Sequence, residues 1–100
     1  MDKELFNEIS RQKDIIESRL NSVRKTLQVK TEKYADMVYL FGVYCGKNLG
    51  CDSFDFVKAT RWIEDMDILE SVIKDYNRQF NDLLFKSKQL EKQLEDITNG

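Results

Sequence analysis

The sequence predicts an all-α fold in which two long helices form an antiparallel helical hairpin. The chain has 100 residues and no proline, so we expect a single domain with few loops. Three of the four glycines and both cysteines fall within residues 38–57. On both sides of that stretch, apolar residues recur with a seven-residue period, which is typical of coiled-coil helices.

The first helix is predicted over residues 3–45. Its apolar residues occupy two positions of the heptad repeat, and together they form a seam that faces a partner helix along the whole length. Ten of the twelve seam positions are apolar or aromatic, and the two exceptions are both lysine. The seam positions of this helix are Phe6, Ile9, Lys13, Ile16, Leu20, Val23, Leu27, Lys30, Tyr34, Met37, Phe41 and Tyr44.

Lys13 and Lys30 have two interpretations. A lysine in a seam lowers stability but can set the register of the helices or their oligomeric state. Alternatively, its aliphatic stem packs in the seam while its ammonium group reaches solvent. Both interpretations stay open for these two residues at the level of the sequence.

The turn is predicted at residues 46–52. Glycine adopts the left-handed conformation at a helix C-terminus at little cost, so Gly46 is expected to end the first helix. Asp52 or Ser53 is the expected N-cap of the second helix, because the side-chain oxygen of either accepts a hydrogen bond from an unpaired backbone N–H. Asp55 then falls in the first turn, where the helix dipole favours negative charge.

The second helix is predicted over residues 53–97 and repeats the heptad pattern. Eleven of its twelve seam positions are apolar or aromatic, and Ser87 is the exception. Its seam therefore has the same character as that of the first helix. The seam positions are Ala59, Trp62, Met66, Leu69, Ile73, Tyr76, Phe80, Leu83, Ser87, Leu90, Leu94 and Ile97.

The charge distribution favours an antiparallel arrangement. Residues 1–33 carry eight basic and six acidic residues, whereas residues 63–100 carry five basic and nine acidic ones. Folding back at the turn places these two arms side by side with opposite net charge. The expected register pairs Tyr34 with Trp62 or Ile63, Leu27 with Leu69, and Leu20 with Tyr76.

Assembly beyond a single hairpin is also expected. Two helices bury only one stripe each, and so small a core rarely offsets the entropy of ordering the chain. Apolar residues outside the seam are concentrated near the turn. We therefore expect either dimerisation into a four-helix assembly or docking to another helical protein.

Composition argues against several functional classes. The formal net charge is −2, so no overall field attracts nucleic acid or an anionic membrane. No apolar run reaches the roughly 18 residues of a membrane span, and the first residues are too charged for a secretory signal. A cytoplasmic location is expected.

No site for catalysis, a cofactor or a metal ion is predicted. Histidine is absent, which removes the commonest general base and metal ligand. Cys45 and Cys51 alone cannot supply the three or four ligands of a zinc site. We expect reduced thiols, with a disulfide across the turn as the alternative. The chain is therefore not expected to be an enzyme.

Aromatic residues around the turn are the candidate partner-binding residues. Core packing near the turn is one interpretation of this group, and a protein-binding surface with aromatic anchors is the other. On the second interpretation, the chain is a coiled-coil interaction or scaffold module that binds itself or another helical protein. The group consists of Tyr39, Phe41, Tyr44, Phe54, Phe56 and Trp62.

Residues 34–79 resemble the C-terminal part of formin FH2 domains. The matching pieces are an aromatic-glycine stretch, either Tyr39–Gly42 or Tyr44–Gly46, then the segment Asp52–Phe56 at the start of the next helix, and Trp62. The paired phenylalanines of the family are here split by Asp55. The resemblance implies a role in regulating the actin cytoskeleton, through the part that receives the partner's N-terminal lasso. It carries over no actin-binding residue.

The helical pattern also resembles that of sorting-nexin-type BAR domains. These are curved, membrane-associated helical dimers. They are normally about twice as long as this chain and have a basic face, which this sequence lacks. The resemblance implies dimerisation, with a membrane as the alternative partner.

Overall fold

A computed structural model describes residues 2–100 and shows two α-helices joined by one loop. Helix α1 spans Lys3–Asn48 and helix α2 spans Phe56–Asn99. The two helices fold back on each other as an antiparallel hairpin, which confirms the predicted all-α fold. Their length is consistent with the absence of proline, which would interrupt the backbone hydrogen bonds of a helix interior.

The predicted seams form the inner faces of the two helices. All twelve seam positions of α1 and all twelve of α2 are buried or half-buried. The four fully buried apolar residues, Ile9, Ala59, Leu69 and Leu90, are all seam residues. The heptad spacing therefore predicted the inward side of each helix correctly, because helical geometry places residues of this period on one side.

The hairpin comprises two compact units. The loop unit is Leu27–Asp75 and contains the loop with the adjoining parts of both helices. The terminal unit consists of the residues up to Thr26 and those from Tyr76 onward. Each unit holds its own stretch of both seams, so each contains packed apolar residues from α1 and from α2.

The predicted register of the helices is wrong. In the loop unit, Trp62 packs on Phe41, with ring centroids 5.6 Å apart, and not on Tyr34 one heptad earlier. A shift of seven residues leaves every seam residue in the seam. Burial of the seam is therefore compatible with more than one pairing of the helices. The position of the loop selects the pairing that is observed.

The terminal unit shows a displacement in the same direction. Leu20 was expected near Tyr76, but it lines a groove with Phe80 and Leu84. These two residues follow Tyr76 by about one and two helical turns. The seam residues of this unit are therefore paired further along α2 than the sequence predicted.

The loop begins later than predicted because α1 does not end at Gly46. The helix continues to Asn48, and the backbone N–H of Leu49 still donates to the Cys45 carbonyl at 2.9 Å. The side-chain amide of Asn48 donates to the Tyr44 carbonyl at 2.9 Å, one turn back along α1. Gly50 has a φ of 82° and makes the left-handed turn in place of Gly46.

The N-cap of α2 is Asp55, and the expected caps Asp52 and Ser53 are wrong. The Asp55 Oδ1 atom accepts hydrogen bonds from the backbone N–H groups of Val57 at 3.0 Å and Lys58 at 3.1 Å. The hydroxyl of Ser53 instead donates to the side-chain oxygen of Asn48 at 2.9 Å. The second helix therefore begins at Phe56, and Asp55 precedes it rather than lying in its first turn.

Alanine substitutions at Gly46 and Gly50 should have opposite effects on the free energy of unfolding. Gly46→Ala should raise it by about 0.5–1 kcal/mol, because glycine is unfavourable within a helix. Gly50→Ala should lower it by about 1 kcal/mol, because the left-handed conformation is strained for alanine. Urea unfolding followed by circular dichroism measures both. A decrease for Gly46→Ala would place the helix end at Gly46.

Asp55→Ala should lower the free energy of unfolding by about 1 kcal/mol, because two backbone N–H groups lose their capping acceptor. The matched control is Asp52→Ala, which removes a carboxylate three residues earlier in the chain. It should change the free energy of unfolding by less than about 0.5 kcal/mol. Thermal unfolding of the two variants compares them directly. Equal losses would contradict the assignment of the cap.

Candidate functional site

Four aromatic rings pack together in the loop unit. Phe41 and Tyr44, one turn apart on α1, both contact Trp62 of α2, with ring centroids 5.6 and 5.9 Å apart. Phe54 of the loop lies 5.8 Å from the Tyr44 ring. All four side chains are half-buried. We call Phe41, Tyr44, Phe54 and Trp62 the aromatic cluster; rings at these separations attract each other beyond the effect of burial.

Tyr44 is the residue that links the cluster to the loop. Its hydroxyl oxygen accepts a hydrogen bond from the backbone N–H of Asp55 at 2.9 Å. The ammonium group of Lys58 lies 4.8 Å from the centre of the Tyr44 ring, a distance that permits a cation–π interaction. The last turns of α1, the loop and the first turn of α2 therefore all contact one side chain.

The six candidate partner-binding residues fall into two groups. Phe41, Tyr44, Phe54 and Trp62 are the aromatic cluster and contact each other within the hairpin. Tyr39 is 71% exposed and Phe56 is 76% exposed. Phe56 contacts the hairpin through the edge of Phe54, with centroids 4.8 Å apart. Only Tyr39 and Phe56 present most of their surface to solvent, and the role of all six in binding stays a prediction.

Both seam lysines are half-buried. In the terminal unit, the Lys13 ammonium group lies 3.8 Å from a carboxylate oxygen of Glu17, on the next turn of the same helix. In the loop unit, Lys30 lines a groove beside Leu69 and Val72 of α2. Their stems therefore lie against the seam, and a register-setting role for them stays a prediction.

The loop unit carries most of the exposed apolar surface. Thirteen large apolar side chains are exposed among residues 2–100, and ten of them belong to Leu27–Asp75. Contiguous patches of exposed apolar side chains are a common feature of interaction surfaces, and such a role for these ten residues stays a prediction. The ten are Val29, Val38, Tyr39, Leu40, Val43, Leu49, Phe56, Val57, Ile63 and Ile68.

One side of the loop unit has grooves lined by charged residues. Two grooves of this side contain basic and acidic side chains beside apolar ones. Ile68, which is 65% exposed, lines one of them. We call this side the charged side. Its charged groove residues are Lys30, Lys33, Asp55, Lys58, Arg61 and Asp65.

On the opposite side of the loop unit, the part nearest the loop has no charged residue at the heptad positions beside the seam, whereas Asp67, Glu70 and Lys74 occupy the same positions further along α2. On α1 these positions recur between Thr31 and Cys45, and on α2 between Phe56 and Ile63. Every member is exposed except Cys45, which is half-buried. We call this set the uncharged face: Thr31, Ala35, Val38, Gly42, Cys45, Phe56, Thr60 and Ile63.

The two cysteines lie near the end of α1 and in the loop. Cys45 is half-buried, Cys51 is exposed, and both are free thiols. Residues 2–100 contain no cluster of three or more cysteine, aspartate or glutamate side chains suited to holding a metal ion. Over the same residues, neither helix has a stretch apolar enough and long enough to cross a membrane.

A clear electrostatic interaction lies outside this unit. The Arg11 guanidinium donates to the Glu8 carboxylate at 2.7 Å, and this hydrogen bond lowers the pKa of Glu8 and raises that of Arg11. The two residues are one turn apart on α1 and both are exposed. They form a surface pair of the kind that supports a helix locally.

Comparisons of the chain with protein-family models, with curated proteins and with solved structures found no match. The resemblances to formin FH2 domains and to BAR domains therefore stay predictions. No relative supplies an activity, a ligand or a partner. The properties from which a function can be inferred are those of the chain itself, above all the exposed apolar surface of the loop unit.

Tyr44→Phe should lower the free energy of unfolding by about 0.5–1 kcal/mol, because the Asp55 N–H loses its acceptor while the ring packing is kept. Tyr39→Phe removes a hydroxyl from an exposed ring on the same helix and is the matched control, with an expected change near zero. Urea unfolding monitored by circular dichroism distinguishes them. Equal effects of the two substitutions would contradict the linking role of Tyr44.

Proposed function

We propose that this chain is a non-enzymatic helical-hairpin module for protein–protein assembly, which acts in the cytoplasm and binds through its loop unit. The observation that carries the proposal is the distribution of exposed apolar side chains, with ten of thirteen in Leu27–Asp75. Burial of apolar surface is the main favourable term in protein association. A surface on which such residues are grouped gains free energy when a partner covers it.

The amount of exposed surface supports the same conclusion. The chain exposes 7675 Å², whereas a compact monomer of 11.9 kDa exposes about 6,000 Å². The difference of about 1,700 Å² exceeds the roughly 800 Å² that one partner contributes to a standard interface. No side chain among the described residues is below 2% exposure. Each helix therefore has room for a second partner besides the other helix.

A helical partner fits this surface best. The exposed apolar residues project from two adjacent helices, whose side-chain rows form ridges with grooves between them. Another helix can place its own ridges into those grooves, as in coiled coils and helical bundles. With a net charge of −2, the chain has no excess of positive charge to favour nucleic acid or an anionic membrane. The proposed partner is accordingly a protein surface made of helices.

A comparison of two phenylalanines tests the proposal. Phe56 in the loop unit is 76% exposed, and Phe85 in the terminal unit is 63% exposed. Both lie on α2, so Phe56→Asp and Phe85→Asp make the same chemical change on the same helix. Aspartate at the first position of a helix is also favoured by the helix dipole, so Phe56→Asp should leave the fold intact.

We expect Phe56→Asp to weaken assembly by at least about 1 kcal/mol, since a buried aromatic anchor is lost and a charge is introduced. Phe85→Asp should have little effect. The measurement is quantitative cross-linking and capture by the full-length chain, alone and in a cell extract, with circular dichroism to verify folding. Identical complexes for both variants, or no complex of any kind with the unsubstituted chain, would refute the proposal.

A further inference from the structure

The chain carries two sets of turn residues where the observed loop uses only one. In the structure, Gly50 makes the left-handed turn after α1, and Asp55 caps α2. Gly46 and Asp52 are the same two residue types earlier in the chain, and neither has this role in the structure. Gly46 lies within α1, where glycine is less favourable than alanine.

The spacing of the two sets equals one heptad. The second glycine lies four residues before Gly50, and the second aspartate lies three residues before Asp55. A hairpin with α1 ending at Gly46 and α2 capped by Asp52 would therefore pair α2 against α1 with a shift of seven residues. Such a shift keeps the helical seam residues in the seam, whereas a shift of one or two residues would turn them out of it.

Trp62 has an aromatic partner in either pairing. In the structure its ring packs on Phe41, with ring centroids 5.6 Å apart. Seven residues before Phe41 on α1 is Tyr34, which is also a half-buried seam residue. The shift would therefore replace one aromatic pair in the seam by another, and aromatic pairs are stabilised beyond the burial of their area.

Lys30 would gain a carboxylate neighbour. In the structure this seam lysine lines a groove with Leu69 and Val72, and it forms no ion pair within residues 2–100. The residues of α2 that lie seven positions earlier are Trp62 and Asp65. The shift would thus place Lys30 beside the Asp65 carboxylate, which is a weak but favourable surface interaction.

The observed register is held by contacts that the shifted one lacks. The Tyr44 hydroxyl accepts from the Asp55 backbone N–H at 2.9 Å, and the Tyr44 ring packs on Phe54 and Trp62. The Ser53 hydroxyl donates to the Asn48 side chain at 2.9 Å across the same loop. These interactions require the loop to begin after Asn48, so they favour the observed register.

We propose that the hairpin is a two-register device, in which the loop unit exchanges between the observed register and a second one shifted by one heptad. In the second register Gly46 ends α1 and Asp52 caps α2. Phe41 and Tyr44 then lie level with the loop and lose Trp62, so their rings become available to a partner. The device goes beyond the proposed function, because it concerns the hairpin itself, whichever protein the loop unit binds.

The distance between two spin labels in the full chain tests the device. Glu32 of α1 and Glu64 of α2 are exposed, and cysteines at these positions carry the labels after Cys45→Ala and Cys51→Ser have removed the native thiols. In the observed register the labels are displaced by seven residues, or about 10 Å along the helix axis. In the second register they lie level. We expect two distance populations, of which the shorter is the minor one.

Substitutions at the two sets of turn residues should change the populations. Tyr44→Phe together with Asp55→Ala removes interactions that only the observed register uses, and should raise the ratio of shorter to longer distance by about 10-fold or more. Adding Gly46→Ala should lower this ratio by about fivefold or more, because alanine favours the helix over the left-handed turn. Gly42→Ala is the matched control, since residue 42 is helical in both registers, and should change the ratio by less than about twofold.

A single distance in both the unsubstituted chain and the doubly substituted variant would overturn the device. Circular dichroism verifies that each variant stays helical. If the double variant loses helix, Tyr44→Phe alone, which keeps the ring, should still raise the ratio by about two- to fivefold, and an unchanged ratio would overturn the device. Equal effects of Gly46→Ala and Gly42→Ala would overturn Gly46 as the alternative helix end.

Discussion

The contacts of Tyr44 determine which residues of the two helices face each other. A heptad seam fits its partner equally well after a shift of seven residues, so burial of the seam alone permits more than one register. Tyr44 contacts Trp62 and Phe54 and accepts a hydrogen bond from the Asp55 backbone. These interactions join the end of α1, the loop and the start of α2, and they are satisfied together in one register.

The inward faces of the helices could be predicted from sequence, whereas their pairing could not. Inward positions depend on spacing within one helix, a local property. The turn contains several chemically equivalent candidates, and the structure uses Gly50 and Asp55 where Gly46 and Asp52 were equally suitable. When the loop lies three residues later in the chain, the pairing of α2 against α1 shifts by about six residues. This shift is close to one heptad. The small error at the loop therefore became the error in register.

The candidate site could be predicted only in part, because the heptad pattern describes positions within a helix and not the path of the loop. Phe41, Tyr44 and Trp62 occupy seam positions, so their contacts inside the hairpin follow from the heptad pattern. Tyr39 and Phe56 lie outside the seam, and the pattern correctly leaves them exposed. Phe54 belongs to the loop, and its packing on Tyr44 depends on the path of the backbone between the helices. No spacing rule describes that path.

Gly42 and Gly46 are two residues whose place in α1 the hairpin itself does not explain. Glycine in a helix interior is less stable than alanine by about 0.5–1 kcal/mol, because the unfolded chain loses more conformational freedom. The backbone of α1 is helical at both residues, and a side chain added at either would meet nothing within 4 Å. Neither backbone conformation nor internal packing requires glycine. The exposed helix surface at these glycines is where the backbone of α1 is open to close packing by another helix, a packing that residues without a side chain permit.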